Sequence, residues 1–143
     1  MSSLSEETGA FDDAKKSQFV EAISTLLQAQ LAVLGSERLE RALENLQPEA
    51  LGYVYGFTDG ALQTINQDMA DASIGVPITF QVLRRVFPGR QDSYLRVLVE
   101  RMGKDPAVTA GAAIGGQQYI DFQLGKLAAP MGLARILLER VSQ

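Results

Sequence analysis

The chain has 143 residues, 46% hydrophobic and 21% charged, which is typical of a single globular domain that can bury a core. It contains neither Cys nor His, which excludes disulfides, thiol nucleophiles and imidazole as general base or metal ligand. Residues 1–72 carry twelve acidic and four basic side chains, residues 73–143 carry five and nine, and the net charge is −4. We expect no metal site and no cofactor, and we assign no catalytic residue.

The N-terminal stretch from Met1 to Asp13 is polar and acidic, unlike a signal peptide. We expect residues 1–10 to be a disordered tail, because they offer almost nothing to bury, and residues 11–143 to form one helical domain. No apolar run approaches the roughly 20 residues that a membrane span requires. The sequence therefore favours a soluble, cytoplasmic protein without a membrane span.

Apolar residues recur at spacings of three and four through the first third of the chain. They predict an amphipathic helix that begins near Asp12 or Asp13 and ends at Gly35, because Asp is a common N-cap and Gly a common helix terminator. A second, shorter helix is predicted from Glu37 to Leu46.

Further helices are predicted by the same periodicity and by Pro, Gly and Asp at their ends. The predicted ranges are Pro48 to Ala72, Pro77 to Val86, Asp92 or Ser93 to Gly103, Pro106 to Leu127 and Pro130 to Val141. The stretch from Ile74 to Ile78 reads as a loop, and no sustained alternation indicates a strand. We therefore predict an all-α fold, a single-domain bundle of six to seven helices.

Small residues form a ladder at four-residue spacing in each of the two long helices. The ladders are Gly52, Gly56 and Gly60 in the first, and Ala107, Gly111 and Gly115 in the second. Each interior Gly costs about 1 kcal/mol relative to Ala, so a compensating gain is expected. A face without side chains lets another helix approach closely, and we expect these two helices to cross at their ladders.

A shift of 55 residues aligns the two ladders and also brings Gln63 onto Gln118. The fold could therefore consist of two similar units, each a long helix followed by a short one, or the match could be a coincidence. If the repeat is real, a pseudo-twofold axis relates the two glutamines. Buried amides there would need hydrogen bonds to each other or to a ligand, whereas rim amides would not.

Acidic side chains and tyrosines next to the first ladder are candidate binding residues. Tyr55 and Asp59 lie four apart on one helical face, near Tyr53, so Asp59 could act as a general base or contact a ligand. The alternative is an exposed acid beside a core tyrosine. Asp68 and Asp71 could hold a hard cation, although a solvated helix end is the simpler interpretation.

Basic side chains are concentrated between residues 84 and 104. They are Arg84, Arg85, Arg90, Arg96, Arg101 and Lys104. A helix, turn and helix in this region could belong to a nucleic-acid-binding regulator. The isoelectric point of about 4.8 argues against nucleic acid as a partner, because DNA binding requires strong phosphate neutralisation.

These observations favour a non-enzymatic interaction protein, such as an adaptor, a regulator or a small chaperone-like binder. We expect a homodimer that binds another protein, because the ladders and the first helix offer more apolar face than a small bundle requires. Its working surface would be the ladder region with Tyr53, Tyr55, Gln63 and Gln118, or the basic face. The alternatives are a small-molecule-binding protein or carboxylate-dependent enzyme with a pocket between the long helices, and a nucleic-acid-binding regulator.

Overall fold

The computed structural model of the protein describes residues 12–65 and 72–141. Within these ranges it contains seven helices and no strand, which confirms the predicted all-α fold. The helices are α1 (Asp13–Ala32), α2 (Ser36–Glu44), α3 (Pro48–Ile65), α4 (Ala72–Val86), α5 (Gln91–Arg101), α6 (Pro106–Gln123) and α7 (Gly132–Val141). The predicted tail at residues 1–10 and the acidic pair Asp68 and Asp71 lie outside the described residues.

Helix α1 begins where its sequence predicts and ends at Ala32, three residues before the predicted terminator Gly35. The Asp12 carboxylate accepts a hydrogen bond from the Lys15 main-chain N–H at 2.9 Å and so caps the helix. Gly35 has φ +80°, a left-handed conformation that side chains disfavour, and the chain turns there into α2. The apolar stripe from Phe19 to Leu34 is buried in the core.

Helix α3 occupies the centre of the bundle and contacts α1, α4, α5, α6 and α7. Pro48 stands at its first position, where a missing N–H costs no helical hydrogen bond. Most of its side chains are fully buried, including Leu51, Val54 and Phe57. The other helices therefore pack around α3, and its most extensive contact is with α6.

The prediction of a loop at Ile74 to Ile78 is wrong, because α4 begins at Ala72 and includes Pro77. A proline inside a helix loses one main-chain hydrogen bond and costs roughly 3 kcal/mol. The helical path buries Gly75 and Thr79 as well as Ile78 in return. Burial of this face thus outweighs the local preference of the sequence.

The connection between α6 and α7 is longer than predicted. Helix α6 ends at Gln123, four residues before Leu127, and the chain turns at Gly125, which has φ +77°. Helix α7 begins at Gly132, two residues after Pro130. This later start brings the first main-chain N–H groups of α7 to a set of buried polar side chains.

Candidate functional site

The glycine ladder of α3 packs directly on the backbone of α6. A Cβ atom on Gly52 would overlap the main chain of Val108, and one on Gly56 would overlap that of Ala112. One on Gly60 would lie 3.2 Å from the Gly116 main chain. Residue numbers rise together in all three contacts, so α3 and α6 run in the same direction.

The glycines of α6 fit the backbone of α3 in the same manner. A Cβ on Gly111 would overlap the main chain at Glu49, and one on Gly115 would overlap that at Tyr53. Ala107, the remaining member of the predicted ladder, is half-buried at the start of α6. Each ladder therefore accepts the main chain of the other helix, and the contact leaves no space for a ligand along it.

An aromatic contact extends the packing of α3 on α6 beyond the ladders. The rings of Phe57 and Tyr119 meet edge to face with centroids 5.3 Å apart, a favourable arrangement of aromatic quadrupoles. On α3 itself, the Tyr53 ring stacks on Phe57 at 5.8 Å.

Four helices are tied together by a buried polar network centred on Tyr53. The Tyr53 hydroxyl donates to Gln118 Oε1 at 2.6 Å and accepts from Gln30 Nε2 at 3.1 Å. The two amide oxygens also accept from the first turn of α7: Gln118 Oε1 from the Gly132 N–H and Gln30 Oε1 from the Leu133 N–H, both at 2.9 Å. These side chains satisfy main-chain donors that no helix satisfies internally.

The polar network around Tyr53 joins helices and leaves no open space for a ligand. Burial raises the pKa of Tyr53 to about 12, so the hydroxyl keeps its proton, and with it the donated hydrogen bond, to a higher pH than an exposed tyrosine would. Gln30 is 1% exposed, and a Cβ on Gly132 would overlap the Tyr53 ring. The side chains fill the space around the hydroxyl, so Tyr53 and Gln118 hold helices together rather than face an open pocket.

Tyr55, Asp59 and Gln63 form a second, more exposed cluster on α3. Gln63 Nε2 donates to Asp59 Oδ2 at 2.7 Å, while Asp59 Oδ1 is shielded from solvent and has no hydrogen-bond partner among the described residues. Partial burial raises the pKa of Asp59, and burial together with this carboxylate raises the pKa of Tyr55. The cluster lies against Gly75 of α4.

The two glutamines aligned by the 55-residue shift lie in different surroundings. Gln63 is exposed and its described hydrogen bond is to Asp59 of the same helix, whereas Gln118 is half-buried and joins α3 to α7. The five predicted binding residues therefore divide into two groups: Tyr53 and Gln118 in the network, and Tyr55, Asp59 and Gln63 in the exposed cluster.

The six basic residues do not all point freely to solvent. Arg90 Nη1 donates to the Leu43 main-chain oxygen at 3.2 Å and so ties α5 to α2. Arg101 forms an ion pair with Asp105 at 3.1 Å. The other four, whose side chains are exposed and have no partner among the described residues, are Arg84, Arg85, Arg96 and Lys104, although the Arg85 main-chain oxygen accepts a hydrogen bond from Gln28.

Within residues 12–65 and 72–141, no group of three acidic side chains lies close enough to bind a metal ion. In the same ranges no single helix is long and apolar enough to cross a membrane, although α1 and α2 reach that length and apolarity as a pair bent by 106°. A groove of about 340 Å³ lies at the α1–α2 turn, lined mostly by apolar side chains that include Leu31, Leu39 and Val86.

The solvent-facing side of α6 is an exposed helix surface with little charge. No charged side chain occurs from Pro106 to Ile120, yet seven of these fifteen residues are exposed. We call this surface the outer α6 face, and its exposed residues are Thr109, Ala110, Ala113, Ile114, Gln117 and Ile120. By contrast, α2 carries five charged side chains in nine residues. Exposed apolar patches on soluble domains commonly mark interaction sites.

Neither Gln30 nor the outer α6 face was identified from the sequence, although each corresponds to a visible feature of the sequence. Gln30 lies three residues after Leu27 and four before Leu34, so it interrupts an apolar stripe. The uncharged run of α6 was visible, but its exposure depends on how many neighbours cover the helix. Here only α3 and α7 make substantial contacts with it.

Comparisons with known proteins add no assignment, because no protein-family model, no curated protein and no solved structure matches the chain.

Proposed function

We propose that this chain is a non-enzymatic interaction protein, an adaptor, regulator or small chaperone-like binder, that works as a homodimer. The observation that carries the proposal is the outer α6 face, an uncharged and half-exposed helix surface in a chain that is 21% charged. Interface centres are depleted of charge, because a buried charge without a partner costs several kcal/mol.

The close contact of α3 and α6 supports this proposal over a small-molecule-binding protein or a carboxylate-dependent enzyme. A pocket between the long helices would need space where Gly56 meets Ala112, and backbone atoms fill it. The Asp59 carboxylate is next to Tyr55 and Gln63, but among the described residues no group of three acidic side chains that could hold a metal ion accompanies it.

A nucleic-acid-binding regulator is the less favoured alternative. Two of the six basic side chains, Arg90 and Arg101, bond to groups of the same chain. The net charge of −4 opposes association with a polyanion.

Sedimentation velocity of the full chain, from micromolar to millimolar concentration, tests the proposal. We expect the mass to rise with concentration from 15.5 kDa to twice that value. A single species of monomer mass at every concentration would refute the homodimer.

A further inference from the structure

Two opposite charges bracket the outer α6 face. Lys104 precedes the helix and is exposed, and Asp121 stands near its C-terminal end. Between them the helix advances about 25 Å at 1.5 Å per residue without a charged side chain other than Asp105, which is paired with Arg101. The helix surface is therefore neutral along its length, with Lys104 at one end and Asp121 at the other, where Asp121 accepts a hydrogen bond from Gln117 and Lys126 follows in the turn beyond the helix.

We infer that a second copy of this chain docks on the outer α6 face, with the two α6 helices antiparallel about a twofold axis near Ala113. The inference rests on the proposed homodimer and names its interface. In an antiparallel pair, residues whose numbers sum to a constant lie opposite each other. Lys104 then lies opposite Asp121 of the second copy, and the midpoint of the two positions is close to Ala113.

Charge selects the antiparallel arrangement. It places Lys104 of each copy at Asp121 of the other, which gives two opposite-charge pairs at the rim. A parallel pair would instead place Lys104 beside Lys104 of the second copy and Asp121 beside its Asp121, so that like charges would meet. The antiparallel arrangement also sets the helix dipoles in opposite directions, which is favourable.

The composition of the face suits a twofold contact between identical surfaces. Ala113 lies next to the axis and Ala110 lies one helical turn before it, so small side chains allow close approach of the two helices. Ile114 and Ile120, each 39% exposed, flank the contact and would lose apolar surface to it. Two chains that each carry −4 repel, and an uncharged contact region lets them meet without burying an unpaired charge.

The first test is the pair of variants Ala113→Arg and Ala29→Arg, measured by sedimentation equilibrium. Both replace an exposed helical alanine with arginine, but Ala29 lies on α1, away from the proposed contact. We expect Ala113→Arg to raise the dimer dissociation constant by at least about a hundredfold, because two arginines would meet at the axis. Ala29→Arg should leave it within about twofold.

The second test reverses the rim charges and does not depend on the stability of Ala113→Arg. Lys104→Glu and Asp121→Lys alone should each weaken the dimer by about tenfold, because each creates two like-charge contacts. The double variant should recover most of the wild-type affinity, since the pairs are restored with opposite signs. Failure of this recovery would overturn the antiparallel arrangement.

The outcomes separate this inference from the proposed function. A wild-type chain that stays monomeric refutes both. A wild-type dimer that survives Ala113→Arg, with the variant folded by circular dichroism, refutes the α6 interface and leaves the homodimer intact. Loss of the dimer in Ala29→Arg as well as in Ala113→Arg also counts against the α6 interface.

Discussion

Helices α3 and α6 are both 18 residues long and both carry a glycine ladder, yet they occupy opposite kinds of position. Five helices surround α3, whereas α6 has substantial contacts with only α3 and α7 and lies at the edge of the bundle. The same device, a ladder that admits a neighbouring backbone, thus serves a central helix and an edge helix. A ladder therefore predicts one close helix–helix contact. The number of further neighbouring helices determines whether the other faces of the helix are buried or exposed.

The first prediction concerns the close contact between α3 and α6, into which a substitution adds one methyl group. Gly56→Ala places a Cβ against the Ala112 main chain, which cannot move aside as a flexible side chain would. We expect a loss of about 3 kcal/mol in the free energy of unfolding, the upper part of the usual overpacking range. Chemical denaturation monitored by circular dichroism measures it.

Gly116→Ala is the matched control on the partner helix. Its Cβ would lie 3.4 Å from the Gly56 carbonyl oxygen, an ordinary contact. The variant should be neutral or more stable by up to about 1 kcal/mol, because Ala favours the helix over Gly. Equal destabilisation by both variants would show that the ladder does not discriminate between tight and open positions.

The second prediction removes the polar link between α1, α3 and α7. Gln30→Leu removes the acceptor of the Leu133 N–H and the amide N–H that donates to the Tyr53 hydroxyl oxygen, both in a fully buried site. We expect the free energy of unfolding to fall by about 2–3 kcal/mol. Gln18→Leu, the same change at an exposed position of α1 with no described hydrogen bond, should alter it by less than about 0.5 kcal/mol in urea denaturation.

The third prediction concerns the dependence of stability on pH that arises from the buried Tyr53 hydroxyl of α3. The folded-state pKa of about 12 lies above the ordinary tyrosine pKa of 10.0, so the unfolded chain loses this proton first as the pH rises. Stability from Tyr53 is therefore present below pH 10 and declines above it, by about 1 kcal/mol between pH 10 and 11. Tyr53→Phe should lack this part of the decline, and an identical decline in the two proteins would contradict the burial of the hydroxyl.

The sequence correctly predicted those helices in which the apolar periodicity and the capping or terminating residues indicate the same range. Helix α1 is an example, because Asp12 and Gly35 mark its limits and its apolar stripe is regular. It predicted the wrong start for α4, because the local effect of Pro77 points to a loop and only the packing of Gly75 and Ile78 favours the helix. Burial of that kind depends on neighbours that are distant in the chain.

The sequence indicated part of the candidate site as well. Tyr53 and Gln118 were selected for their place near the ladders, and they do bond to each other, but through a hydroxyl shared with Gln30 rather than across an axis relating two glutamines. Leu133 and Gln30 are separated by 103 residues, so no local pattern reports their contact. The exposure of the outer α6 face is equally a property of the assembled bundle.

The central claim is that α6 presents one face to α3 and the other to a second copy of the chain. Because the chain contains no Cys, a single introduced thiol reports on this contact without background. Under mild oxidation we expect Ala113→Cys to form a covalent dimer, since a disulfide requires Cα atoms within about 7 Å of each other, as they would be at the axis. Ala29→Cys should remain monomeric on a non-reducing gel. A monomeric Ala113→Cys protein, or equal cross-linking at both positions, would contradict the claim.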